Sequence, residues 1–237
     1  NVSIHFEQQD IVVPGQLLAE GDFRNGDGAY KEHEKVFASV IGVAKMKGKT
    51  VYVVPLKGQY IPKVRDIIIG TIVEVTLNGW LIDFHSPYPA MLPVIHALSR
   101  RDAVHAKDNL RQYYDIGETV VAEIIAADRT RDPLITTLGR GLGKVRGGIL
   151  INIVPTRVPR LIGRKGSMIN MLKSDLQVDI VVGQNGIVWL KGNPNRMTIA
   201  IEAIHQIERE AHTSGLTDRI RDFITEKLAE LNGEKNE

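Results

Sequence analysis

The chain of 237 residues contains no cysteine. Disulfides, thiolate catalysis and cysteine zinc sites are excluded together. Aromatic residues make up only 5% of the chain, so a surface that stacks bases would have few side chains to draw on. No apolar run approaches the roughly 18 residues of a spanning helix, and no membrane partner is expected. The seven histidines are scattered, with no pair at metal-ligand spacing. The first residues, Asn1 to His5, lack the charged-then-apolar layout of a signal peptide. A soluble cytoplasmic protein without metal or cofactor is the expectation.

The most informative absence is acidic. Between Pro133 and Ser174 there is no Asp or Glu, while Arg140, Lys144, Arg146, Arg157, Arg160, Arg164, Lys165 and Lys173 all fall there. This local +8 against a whole-chain +2 leaves the remainder at about −6. Charge concentrated in this way fits an anionic partner at one place, or a plain solvated basic face; charge alone leaves both open.

The 43% hydrophobic content is enough for the cores of one to three small domains. Residues 1–63 read as a β-rich amino-terminal unit, with "KVFASVIGVAKM" and "KTVYVVPL" forming a hairpin around Lys47-Gly48. "EGDFRNGDGAY" lacks the ligand spacing and terminal Glu of a calcium loop. "GVAKMKGKT" has five residues between its glycines where a phosphate-binding P-loop needs four. Residues 64–138 hold "IIIGTIVEV", "GWLIDF" and "AMLPV", then a polar excursion over 95–114, then "ETVVAEIIAAD" and "PLITTLG". Three strands, an excursion and two strands suit a five-stranded OB-type barrel. Residues 139–148, "GRGLGKVRGG", read as a flexible basic linker, a hinge whose cations either solubilise it or graze phosphate.

Over 149–237 the periodicity changes to β-α-α-β-β-α with an extra C-terminal helix starting near Thr217. Ile220, Phe223, Ile224, Leu228 and Leu231 form one stripe on that helix, which is expected to pack on its own domain. The fold class is therefore α+β and multidomain. No nucleophile–base pair, metal cluster or phosphate-transfer motif rises above background, so no catalytic residue is expected.

"IGRKGSMI", Ile162 to Ile169, lies between the first two helices of this last unit. With 22 glycines, about two Gly-x-x-Gly pairs are expected by chance, and the chain has two. The other, Gly183-Gln184-Asn185-Gly186, reads as an ordinary hairpin turn with Asn-Gly supplying positive dihedrals. The position of the first pair decides its reading. Glycines between two helices let the second start abruptly, with its amides and positive dipole end facing the loop. Gly163 and Gly166 have no β-carbon to hold a sugar-phosphate backbone away, and Arg164 and Lys165 add charge there.

This motif in this element order resembles the KH family of single-strand RNA-binding domains, which clamp about four nucleotides with such a loop. The middle unit resembles the S-one RNA-binding domain, an OB-type barrel, along "GTIVEVTLNGWLIDF", "MLPVIHALS" and "DIGETVVAEIIAADRTRDPLITTLG". It departs from that pattern at Asn78, Leu81 and Val94, where aromatics and a histidine are expected. Trp80 and Phe84 are the nearest aromatics, and Trp80 is either the stacking residue or core. The whole arrangement, with "VPGQLL", "VVPLKGQYIP", "SPYPAMLPV", "VVGQNG" and "EAHTSGLTDRI", resembles the KH-containing cap subunit of the archaeal RNA exosome.

That resemblance implies a non-catalytic RNA-binding subunit. Its partners would be single-stranded RNA and a hexameric ring of RNase PH-like subunits, with the cap either a homotrimer or mixed with a zinc-ribbon cap protein. The amino-terminal unit would dock on the ring, its apolar faces (Val36, Val40, Val51, Val53) covered by that surface. The expected RNA contacts are Gly163, Arg164, Lys165 and Gly166, flanked by Arg157, Arg160 and Lys173 on phosphates, with Trp80 on the barrel. Ile162, Ile169 and Val181 would line the base groove. A free-standing RNA chaperone or translation factor is the alternative, and it needs no ring.

Overall fold

The computed structural model describes residues 3–7, 10–26, 28–55, 60–99, 102, 109–127 and 132–233. Eight short strands come first: β1 Ser3–Ile4, β2 Ile11–Val12, β3 Leu17–Glu20, β4 Arg24–Asn25, β5 Ala29–Glu32, β6 Lys35–Ala38, β7 Gly42–Lys47 and β8 Thr50–Pro55. They form two four-stranded sheets, β1-β3-β6-β5 and β2-β7-β8-β4. The expected hairpin is β7–β8, turning at Gly48-Lys49 one residue beyond the expected turn, with Lys47 opposite Thr50. The stretch "KVFA" belongs to the other sheet as β6. Leu18, Ala19, Val36, Ala44, Val51 and Val53 bury almost completely between the sheets, with Val40 packed against them. Val36, Val51 and Val53 are therefore spent on the unit's own core and are not available for docking.

The second unit comprises β9 Ile67–Val75, β10 Gly79–Asp83, β11 Ala90–Pro93, the short helix α1 Val94–Ala97, β12 Thr119–Ala126, β13 Leu134–Thr136 and β14 Gly143–Lys144. The sheet runs β13-β11-β10-β9-β12-β14, and β13 also pairs with β12, which closes a five-stranded barrel. Period-two alternation fills it: Ile68 and Ile72 of β9 and Val120, Ala122 and Ile124 of β12 point inward. Gly70 permits the closure, because a Cβ there would lie 2.3 Å from Ile82 Cγ2. Tyr60 is 6% exposed and packs in this core, so the barrel begins ahead of residue 64. Much of the polar excursion lies outside the described residues.

The third unit has β15 Ile149–Asn152, α2 Val158–Ile162, α3 Ser167–Leu176, β16 Asp179–Val182, β17 Ile187–Lys191, α4 Pro194–Arg209 and α5 Leu216–Gly233. Its antiparallel sheet has the order β15-β17-β16. Asn193 caps α4, its Oδ1 accepting from the Asn195 N–H at 3.0 Å, and Pro194 occupies the first turn. Ile220 and Ile224 of α5 are buried in the same core as α3 and α4, with Phe223, Leu228 and Leu231 packed against it.

Strands β16 and β17 of this sheet alternate between two apolar surroundings. Ile180, Val188 and Leu190 face the helices. Val181, Ile187 and Trp189 face the outside of the barrel, meeting Ile67, Ile69 and Val121. The hairpin between β16 and β17 completes the docking. Asn185 is 3% exposed. Its Nδ2 donates to Ile69 O at 2.7 Å and Phe84 O at 2.8 Å, and its Oδ1 accepts the Ile69 N–H at 3.2 Å. The Gln184 N–H donates to Ile67 O at 2.7 Å. This occurs where β9 runs past its pairing with β10, which begins at Thr71. One side-chain amide thus takes the place of a neighbouring peptide. A Cβ on Gly183 would lie 2.2 Å from Asn185 Oδ1. The second glycine pair is a hairpin, as its sequence indicates, and it is also the peg between two domains.

The expected flexible linker is held down from Leu142 to Gly147. Its residues 143–144 are β14, paired with Val120 and Val121. Leu142 and Val145 join the interdomain cluster, and Gly147 O accepts the Trp189 indole N–H at 2.8 Å. Lys144 Nζ lies 2.6 Å from a Glu118 carboxylate oxygen. Burial raises the Glu118 carboxyl, but Lys144 and the Asp115 N–H outweigh it and hold the group below its ordinary value.

Replacing Asn185 with Ala strands a buried N–H and two carbonyls, each costing about 1–3 kcal/mol when left unpaired and dry. Chemical denaturation of the Asn185→Ala protein is expected to show a loss of about 3 kcal/mol, with the Ile69 amide losing hydrogen-exchange protection. Full protection at Ile69 in this variant would contradict the assigned role.

Candidate nucleic-acid interface

Helix α2 stops because Gly163 leaves helical space at φ 76°, ψ 172°, while its N–H still donates to Pro159 O at 3.0 Å. That conformation belongs to glycine almost alone. Lys165 (φ 52°, ψ 31°) and Gly166 (φ 78°, ψ 13°) follow in left-handed geometry. For lysine this costs about 1–2 kcal/mol. The result is an abrupt start of α3 at Ser167, with the Arg164 and Lys165 side chains exposed. Met168, Ile169, Met171, Leu172 and Leu176 anchor α3 in the core. The loop therefore rests on a helix anchored in the core, and its two cations face solvent together at that helix's start.

The flanking cations are disposed differently. Arg157, just ahead of α2, and Lys173, six residues into α3, are both exposed. Arg160 is half-buried and turned toward the link between α4 and α5, where its Nη2 donates to Thr213 O at 3.0 Å. Lys144 is committed to Glu118 and lies 5.7 Å from the Tyr114 ring centroid. Arg140 and Arg146 are exposed. The basic stretch thus divides into two structural cations and six solvent-facing ones.

Two expectations need correction. Trp80 has no exposed surface; its indole N–H donates to Tyr114 O at 2.8 Å, and its ring meets Tyr114 edge-on with centroids 5.2 Å apart. It is barrel core and has no face to offer a base. Phe84 is equally buried. Leu81, outward on β10, lies beside Glu74 and Met91, so the barrel face presents aliphatic and acidic groups there. Val181 faces the barrel and does not line the groove. Ile162 does stand at the lip of an open cleft beside Gly163, while Ile169 is buried beneath the loop. Sequence reading missed Asn185, whose burial depends on a strand edge more than 100 residues away.

Three family profiles match in succession: an exosome RNA-binding protein RRP4 N-terminal domain over residues 9–57, an RRP4 S1 domain over 59–126 and a KH domain over 148–196. Proteins named exosome complex component Rrp4 are similar over nearly the whole chain. That of Methanothermus fervidus is 43% identical over 222 residues, covering 94% of this chain and 98% of the relative. That of Thermococcus kodakarensis is 42% identical over 231 residues, covering 96% and 90%. The chain belongs to the Rrp4 family. A solved structure described as an exosome complex RNA-binding protein aligns with a TM-score of 0.63 at 37% identity, covering 72% of this chain and 98% of that one. The Rrp4 profiles meet between residues 57 and 59, consistent with Tyr60 lying in the barrel core.

The two loop glycines of this Rrp4-family chain are not equivalent. A Cβ on Gly163 would lie 2.7 Å from the Met168 backbone nitrogen, whereas one on Gly166 would come no closer than 3.3 Å, to the Asn170 amide. Gly163→Ala is expected to cost about 1–3 kcal/mol of stability and to distort the loop. Gly166→Ala should cost about 1 kcal/mol, the left-handed penalty alone. Urea titrations of the two variants test this order, and the reverse order would refute the loop geometry.

Proposed function

We propose that this chain is a non-catalytic RNA-binding subunit of an archaeal exosome. In this reading it caps a ring of RNase PH-like subunits, as a homotrimer or together with a zinc-ribbon cap protein, and guides RNA 3′ ends toward a phosphorolytic chamber in the cytoplasm. The observation that carries the reading is the exposed Arg164–Lys165 pair, held between Gly163 and Gly166 at the start of a buried helix. Fixed cations at the positive end of a helix suit phosphate oxygens. They supply affinity without base identity. The names carried by the relatives support membership of the exosome.

Assembly is proposed for the amino-terminal unit. Its own core is complete, yet Ile11, Val13 and Ile41 are 36%, 53% and 54% exposed near the β2 edge of its second sheet. Exposed apolar side chains grouped at a sheet edge favour a protein partner. One described side-chain bond, Lys45 Nζ donating to Pro87 O at 3.0 Å, ties this unit to the barrel. Docking of the sheets elsewhere would thus leave the RNA-facing units undisturbed.

Two experiments follow. The Arg164→Asp/Lys165→Asp double variant should bind single-stranded RNA at least tenfold more weakly. Its log-affinity against log-salt slope should be shallower by about 1.4, from roughly 0.7 per phosphate on a single strand. Unchanged affinity and slope in the folded variant would defeat the RNA reading. Removing residues 1–55 should abolish co-migration with the RNase PH-like ring in size-exclusion chromatography, while RNA affinity stays within about threefold, since the phosphate contacts lie elsewhere. Native protein that never captures ring subunits would favour the free-standing chaperone or translation factor.

A further inference from the structure

A cleft of 600 Å³ opens beside the first loop glycine, within the roughly 300–1,000 Å³ typical of small-ligand sites. One wall is the start of the KH unit, with Thr156, Val158, Ile162 and Gly163. The opposite wall belongs to another domain. It is the segment leading into the barrel, with Ile61 and Lys63, and Gln184 of the docking hairpin also contributes.

The barrel segment is held in place by specific bonds. The Tyr60 hydroxyl donates to Asp66 Oδ2, the Asp66 N–H donates to Lys63 O at 3.1 Å, and the Arg65 N–H donates to Ile124 O at 2.7 Å. Arg65 turns the chain at φ 74°. Burial, and then the Asp66 carboxylate, push the Tyr60 hydroxyl well above its ordinary pKa, so it remains a donor. On this fixed turn Ile61 stands 46% exposed and Lys63 is exposed too. An apolar side chain and a cation are thus held out over a cleft that has aliphatic groups on its far side.

We propose that Tyr60–Asp66 forms the second wall of the nucleotide groove, with Ile61 and Lys63 contacting the RNA strand held at Gly163–Gly166. This rests on the RNA-binding reading above and adds a barrel contribution to it. An unpaired nucleotide matches the chemistry of both walls. Its base faces are apolar and pack between Ile61 and Ile162. Its base edge is polar and meets the Thr156 hydroxyl and the Gln184 side-chain carboxamide. Its phosphate takes the Lys63 ammonium. A base already paired in a duplex would not enter a cleft walled on both sides. The groove is thus assembled from two domains, and it exists only while Asn185 keeps them docked.

The test uses the full chain and a fluorescein-labelled, unstructured oligouridylate. Ile61→Asp and Lys63→Glu should each weaken binding about five- to tenfold, in line with losing one base contact or one phosphate contact. Thermal stability should be unchanged, since both side chains are exposed. Ile61→Leu should stay within about twofold of the native protein, because it keeps an aliphatic face against the base. A 4-thiouridine oligonucleotide should cross-link to a peptide containing residues 60–66. If the Arg164→Asp/Lys165→Asp protein loses affinity while Ile61→Asp and Lys63→Glu bind normally, the second wall is overturned and the loop reading stands. If none of these variants loses affinity, the RNA-binding reading falls with it.

Discussion

The architecture depends on one carboxamide. A β-strand that outruns its neighbour leaves peptide groups unpaired, and burying such groups costs more than any single contact returns. Strand β9 does this at Ile67 and Ile69, and Asn185 with the Gln184 amide supplies the missing partners. The side chain is suited to the task because it offers a donor and an acceptor in one plane, as a peptide does. Neither aspartate nor leucine could match both. With that edge sealed, the apolar outer faces of barrel and KH sheet come together around Ile69, Val121 and Ile187, and β17 is covered on both faces.

The cations divide by depth. Lys144 and Arg160 lie where a carboxylate or the backbone claims them: the first ties β14 to the barrel, and the second ties α2 to the link between α4 and α5. Arg164 and Lys165 project from a loop whose strained lysine is held by buried residues on α3. Backbone strain persists where the surroundings over-determine it, and here the surroundings are the α3 core residues from Met168 to Leu176. The positive charge is thereby carried on a loop anchored to the domain core.

Much of this was legible in the sequence. The strand "IIIGTIVEV" coincides with the observed β9, Ile67–Val75, because its β-branched run favours extended backbone. The glycine loop was readable from its place between two helices. Trp80 was not, because a tryptophan in a strand reads alike whether its face meets solvent or core, and only barrel closure decides. Val181 and Trp189 were misplaced or overlooked for a related reason. In a strand buried on both faces, alternation no longer separates inside from outside. The linker glycines, Gly143 among them, looked like freedom, but they let the chain run close along β12.

The peg and its slot lie 116 residues apart in the chain. On the ribosome, the open edge of β9 therefore emerges well before the hairpin that seals it. Until then the nascent barrel carries bare peptide groups beside Ile67 and Ile69, a surface to which any passing strand could pair. The entropic cost of closing so long a loop rises only slowly with its length. The hazard is therefore one of timing: the barrel stays adhesive until the last third of the protein has been made.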